Sequence, residues 1–142
     1  MRSPSVALFV AMGWYFRRGP EKAESIMVKT QKITQSEWER FPDTWRGSLT
    51  GERMGTDITL AFYETDEIGK GPVLHTHPYA ETFVVLDGNG RYQVGDQVID
   101  AVAGDVLIGP PDVPHKFWNL GPGRLRTVDV HHSPVWIQDD LE

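Results

Sequence analysis

The chain has 142 residues, of which 39% are hydrophobic and 24% charged, and it carries a formal net charge of −6. That length fits one domain, and an acidic balance with no basic run longer than two residues excludes a nucleic-acid surface. Cysteine is absent, which excludes a disulfide frame and thiolate metal ligands.

Residues 1–26 read as an extension separate from a domain at 27–142. Residues 6–16 are a mostly apolar run of eleven, flanked by Arg2 and by Arg17 and Arg18. The run is too short to span a bilayer, and no small-residue cleavage site follows it. Three readings stay open: translation starting at Met27, a signal-like or anchoring segment, and an arm ordered on the domain.

Residues 28–33 alternate weakly, as an edge strand would. Thr34-Gln-Ser-Glu37 has capping-box spacing and predicts a helical turn through Trp38, ended by Pro42. Trp38 and Trp45 are expected to cap the domain or sit at a subunit contact rather than line a ligand. From Asp57 onward the chain reads all-β. Ile58, Leu60 and Phe62 alternate with Thr59, Ala61 and Tyr63. Residues 81–86 are apolar on both faces, as in a strand covered on both sides. Asp87-Gly-Asn-Gly90 has hairpin chemistry. Strands follow at 91–94 and 97–102 around Gly95-Asp96, then at 106–108, 115–120 and 125–131. The acidic tail 138–142 is expected to fray. Short strands with closely spaced turn signals predict a sandwich or barrel of at least eight strands between about residues 55 and 137.

The chemistry concentrates in two stretches. His75 and His77 stand at i and i+2, so a strand aims both imidazoles to one face. Pro78 ends or bends that strand, and Glu81 enters at the start of the next. Imidazoles with one carboxylate suit Fe, Mn, Ni, Co, Cu or Zn. A fourth ligand is supplied downstream by His115, after the Pro-rich turn at 110–114. Three imidazoles and one carboxylate leave up to two octahedral positions open, the mark of catalytic rather than closed structural sites. Among the remaining histidines, the apolar phase with Val128 and Val130 favours His132 over His131 as the inward one. Phe83, Val85 and Phe117 are read as cavity wall or plain core, and Asn119 as a turn-stabilising amide. No further acid or base is evident inside the barrel, which favours oxygen chemistry or simple binding over proton transfer. A nucleophile elbow, a phosphate-cradling glycine loop and an EF-hand are all missing.

The two stretches together resemble the paired motifs of the cupin superfamily. Residues 69–88 match G-x5-H-x-H-x3-E-x6-G at every fixed position, and Gly104, Pro110, His115 and Asn119 match G-x5-P-x-G-x2-H-x3-N. Asp112 stands where the family has a glycine with positive φ, a conformation Asp tolerates. The resemblance implies an all-β jelly-roll barrel, the cupin double-stranded β-helix, of the small single-domain kind. It implies one divalent transition metal per chain at His75, His77, Glu81 and His115, with Glu81 as a candidate proton shuttle. The leading function it implies is a metal-dependent enzyme on a small organic substrate, of the Fe(II) dioxygenase class. The alternatives are a binding or sensing cupin without turnover, and a redox-neutral isomerase or lyase. It further implies a cytoplasmic homodimer paired through an outer sheet with residues 28–33 as an exchanged arm, and no nucleic-acid or membrane partner.

Overall fold

In the computed structural model of the chain, which describes residues 30–142, ten strands alternate with tight turns. They are β1 (Gly47–Leu49), β2 (Thr59–Thr65), β3 (His75–Thr76), β4 (Glu81–Asp87), β5 (Asn89–Val94), β6 (Gln97–Val102), β7 (Val106–Gly109), β8 (His115–Asn119), β9 (Leu125–His131) and β10 (Asp139–Asp140). Two helical turns, α1 (Gln35–Trp38) and α2 (Gly51–Met54), complete the set. The strands form two five-stranded sheets, β1-β2-β9-β4-β7 and β10-β3-β8-β5-β6. Every pairing is antiparallel. This is the expected all-β double-stranded β-helix, and β2 to β9 are the eight strands anticipated between residues 55 and 137.

The extension at 1–26 lies outside the described residues, as do 28 and 29 of the expected edge strand. Residues 30–33 carry no strand. An edge strand is formed instead by β1, which pairs Gly47, Ser48 and Leu49 with Phe62, Ala61 and Leu60. The helical turn falls where the capping box puts it, with the Thr34 N–H donating to the Glu37 carboxylate at 2.7 Å.

The turn at 87–90 is not a hairpin. β4 pairs with β7 and β9, whereas β5 pairs with β6 and β8, so the chain changes sheets between Asp87 and Asn89. Gly88 makes the corner at φ 82°, and a Cβ there would meet the Arg124 carbonyl oxygen at 2.0 Å. Glycine is needed for both reasons. The true hairpin is β5–β6 around Gly95, in matched register from Asn89↔Val102 to Val94↔Gln97.

The barrel interior is graded along its strands. Buried residues of β9 are Leu125, Thr127, Asp129 and His131, running from apolar to polar. β4 runs the opposite way in sequence, from Glu81 through Phe83 to Val85, and antiparallel pairing sets its apolar end beside Leu125's end of β9. The apolar half is one cluster of Phe83, Val85, Tyr92, Ala101, Phe117 and Leu125. Phe117 and Tyr92 stack with centroids 5.0 Å apart. Phe83 and Val85 are therefore core, while the opposite face of β4 is not covered: Leu86 is exposed, and Thr82 and Val84 are half-exposed.

The tail is not frayed. Asp139 and Asp140 pair with Thr76 and His75 as β10, and the Leu141 N–H donates to the Leu74 carbonyl at 2.8 Å. Its acidic composition is accommodated because Glu142 finds a cation, the Lys116 ammonium.

Because Leu125 is wholly buried at the apolar end, Leu125→Ala should cost about 2–5 kcal/mol. Urea unfolding should show a lower midpoint at unchanged slope. A midpoint equal to the parent's would show that the core does not close there.

Candidate metal centre

Two cross-strand pairs face each other across the barrel. β3 and β8 set His75 directly opposite His115 in one sheet. β4 and β9 set Glu81 directly opposite His131 in the other. All four side chains are buried. His77, one residue beyond β3, is buried like His75 while Thr76 between them is half-exposed, as two-residue alternation requires. The turn before His115 is tied to His77, whose carbonyl accepts the Asp112 N–H at 2.8 Å. Asp112 adopts φ 60°, the left-handed conformation anticipated at this position.

Glu81 is the hub. Its Oε2 lies 2.8 Å from His115 Nε2, 3.1 Å from His77 Nε2 and 4.0 Å from His75 Nε2. Its Oε1 lies 3.2 Å from His131 Nε2. The other ring nitrogens fix the tautomers. His75 Nδ1 is 2.6 Å from the Val73 carbonyl, His77 Nδ1 is 2.6 Å from the Ile137 carbonyl, and His115 Nδ1 is 2.9 Å from the Val113 carbonyl. A carbonyl only accepts, so each Nδ1 donates, and each neutral ring turns the lone pair of Nε2 inward. Three such lone pairs and a carboxylate, with ligand atoms all within 4.8 Å of one another, then repel unless a cation lies among them. His77 Nε2 has no hydrogen-bond geometry to Glu81 in spite of its closeness. The donor set thus fits a divalent transition metal, and the carbonyl-anchored Nδ1 groups are the outer support such ligands need.

Ionisation follows the same geometry. Burial pushes the Glu81 carboxyl up, but where protons rather than a cation sit on the facing Nε2 atoms, His115, His131 and His77 outweigh it and hold the group well below the usual carboxylate range. Burial pulls His75 down, more than the Val73 carbonyl restores. His77 also loses solvation, yet Glu81 and the Ile137 carbonyl carry it above the ordinary imidazole value.

The inward histidine of the closing strand is His131, not His132. His131 is 1% exposed, while His132 lies outside with its Nε2 2.9 Å from the Thr82 hydroxyl. The apolar phase misleads here because this half of the barrel interior is polar. Val128 and Val130 lie on the outer face, and Thr127, Asp129 and His131 on the inner one.

The same inversion hid an inner acid. Asp129 is buried, with Oδ2 accepting from the Thr127 hydroxyl at 3.1 Å and Oδ1 without a partner among the described residues. Burial drives its carboxyl well above the usual range, the Glu81 charge adds to this, and Thr127 offsets only part. Burial and the nearby Glu81 charge thus both favour the protonated form of Asp129. The expectation that the barrel lacks an extra acid is overturned.

The tail completes the site. Ile137 supplies the carbonyl for His77 and also accepts from the Tyr79 hydroxyl at 3.0 Å. The Trp136 ring lies 4.3 Å from that of His131. A cavity of about 650 Å³ opens from His75, Glu81, Asp129 and His131 and passes Phe117 and Tyr63. Trp38 lines it, stacked on Phe62 at 3.8 Å. Trp45 does not line it and is structural: its indole N–H donates to the Thr127 carbonyl at 2.8 Å. Asn119 holds a turn, as expected, donating to the Gly123 carbonyl at 2.9 Å and accepting the Gly121 N–H at 2.8 Å.

A family model described as a cupin domain matches residues 62–131. An uncharacterised protein of Methanocaldococcus jannaschii is 25% identical over 118 residues, covering 78% of this chain and 94% of its own. Among solved structures, a double-stranded β-helix protein of Klebsiella pneumoniae superposes with TM-score 0.62 at 23% identity, over 80% of this chain and 99% of that one. Bacillus subtilis oxalate decarboxylase, whose Mn(II) centres have been studied, superposes with TM-score 0.62 at 21% identity, over 67% of this chain. A Lactobacillus farciminis oxalate decarboxylase in complex with formate gives 0.63 at 20%, over 75% of this chain. This chain spans only 27% and 34% of those two decarboxylases. Identities this low show the shared fold.

Deleting residues 138–142 removes β10 and frees the Ile137 carbonyl from its place behind His77. Metal affinity should fall about 10- to 100-fold, the usual cost of losing outer support, with far-UV circular dichroism still that of a β-barrel. Unchanged affinity in a competition titration would show that the tail does not position His77.

Proposed function

The chain belongs to the cupins through its domain at 62–131, and from that premise we propose that it binds one divalent transition metal at His75, His77, Glu81 and His115 and acts on a small organic molecule. The observation that carries this reading is the convergence of three Nε2 lone pairs and the Glu81 carboxylate, with His75 and Glu81 also lining the cavity. Fe, Mn, Ni, Co, Cu and Zn all suit the donor set. When bound, the metal would supply Lewis-acid or redox chemistry at the cavity floor. Glu81 would serve as the carboxylate ligand, and it could shuttle a proton only when released from the metal and from the imidazoles around it. Asp129, buried and lining the same cavity, is a second carboxyl within it, and its burial favours the protonated form.

Two reaction classes compete. A dioxygenase-like oxidoreductase is supported by a donor set that leaves coordination positions free. A redox-neutral lyase or isomerase is supported by Asp129, since such chemistry needs a proton donor within reach of the substrate. A binding or sensing role without turnover is the third outcome. Assaying the metal-loaded protein over small diols, thiols and aromatic acids, with and without air, separates them. Turnover that stops without dioxygen means the first, anaerobic turnover the second, and ligand binding without turnover the third. A cytoplasmic site of action belongs to the same proposal and is testable by cell fractionation. Among the described residues no helix is long and apolar enough to cross a membrane.

Metal affinity should fall as pH drops through about 6.5, because protons compete for the imidazoles. His77, shifted up, protonates first and His75, shifted down, later. Glu81 stays ionised throughout. His77→Ala should lose metal on dialysis against a chelator while remaining folded. Full occupancy of that variant, or an affinity indifferent to pH between 5 and 7 (roughly the imidazole range), would contradict the proposal.

We also propose that the outer face around β7 pairs with a second copy. Val106 and Ile108 are 58% and 65% exposed on an edge strand, beside exposed Leu86. An uncovered apolar edge is a liability that self-pairing removes. Ile108→Asp should turn a dimer into a monomer in light scattering at micromolar concentration. A parent protein that is already monomeric would refute the pairing.

A further inference from the structure

The six described arginines divide into two groups. Arg53, Arg91, Arg124 and Arg126 each sit against a carboxylate: Glu37, Asp100, Asp66 with Glu64, and Glu64. Arg40 and Arg46 make no ion pair among the described residues, and both line the cavity that ends at the metal centre. In a chain with a formal net charge of −6, two arginines without an ion-pair partner among the described residues thus line one cavity. Arg46 is also placed. Its guanidinium lies 5.1 Å from the centroid of Tyr63, and Tyr63 meets the core ring of Phe117 edge-on at 5.4 Å. A cation held on an aromatic wall keeps its N–H fork free for a planar anion.

We propose that the ligand of this cavity is a small carboxylate with an apolar body. Its carboxylate is received by Arg46, assisted by Arg40, and its body lies along the aromatic wall toward the His/Glu centre. This rests on the proposed function for the identity of the cavity floor but not for the recognition of the anion. The guanidinium matches a carboxylate bidentately. The wall from Tyr63 to Phe117 is uncharged and ring-faced, which selects an apolar body over a sugar or a polyol. About 650 Å³ falls within the range of small-molecule sites and leaves room for a single ring and its substituent.

The test uses 3-phenylpropionate and its neutral isostere 3-phenylpropionamide, titrated calorimetrically into the full chain with and without added Mn(II). The acid should bind about tenfold or more tightly than the amide. Arg46→Gln should bring the acid down to the level of the amide with metal content unchanged, and Arg46→Lys should keep part of the preference. Arg40→Gln should give a smaller loss in the same direction. Equal binding of acid and amide, binding of neither at millimolar concentration, or an Arg46→Gln protein that keeps the preference would overturn the assignment. The metal reading fails separately: a protein that takes up no Mn(II), Fe(II) or Zn(II) but still prefers the acid upholds the anion site and removes the metal centre.

Discussion

Glu81 faces four imidazoles, and the arrangement of the barrel follows from that contact. One carboxylate oxygen is shared by His75, His77 and His115, and the other is turned to His131. An ionised carboxylate at 3% exposure is stable only if its surroundings return the solvation it has lost. Here those surroundings come from both sheets. The His75–His115 pair belongs to one and the Glu81–His131 pair to the other. The centre is therefore a tie between two sheets, and a strand slipped by one residue in either would turn a ligand outward. Register at this end of the barrel is set by charge and lone pairs, and at the other end by the packing of Leu125, Val85 and Tyr92.

This division explains what was legible in the sequence. The four candidate metal ligands stood at fixed spacings in two short stretches, and the structure brings all four together. Strand positions between residues 57 and 131 were legible because alternation and turn chemistry are local. The direction of a strand's faces was not. Alternation separates Thr127, Asp129 and His131 from Val128 and Val130, but it does not say which set lies inside. The usual rule, apolar inward, fails wherever the interior is a polar site. Thr59 on β2 follows the same pattern, buried while Leu60 is only half-buried. A signal was available: Glu81 opens its strand facing inward, and an antiparallel partner rich in alternating Thr, Asp and His could supply it with hydrogen-bond groups.

Long-range closure was the other illegible part. Asp87-Gly-Asn-Gly90 has the residues of a hairpin, and only the pairing partners of β4 and β5 reveal that the chain crosses between sheets there. The tail has the composition of a frayed end, yet it is a strand whose approach sets a carbonyl behind His77. Neither feature has a local signature, because each depends on what lies across the barrel rather than on neighbours in the chain. The chemical consequence is large. With the tail in place His77 is oriented, and with the inner face of β9 assigned, Asp129 gives the cavity a second buried carboxyl. Redox-neutral chemistry thereby stands beside oxygen chemistry.

The account depends on a cation held between the two sheets. Anomalous diffraction from crystals of the metal-loaded protein, recorded on both sides of the metal's absorption edge, tests this most directly. The account predicts one anomalous peak per chain, bonded to Nε2 of His75, His77 and His115 and to a Glu81 oxygen, at about 2.0–2.2 Å for a metal such as zinc. A peak elsewhere, or none at this position in crystals grown with excess metal, would contradict it.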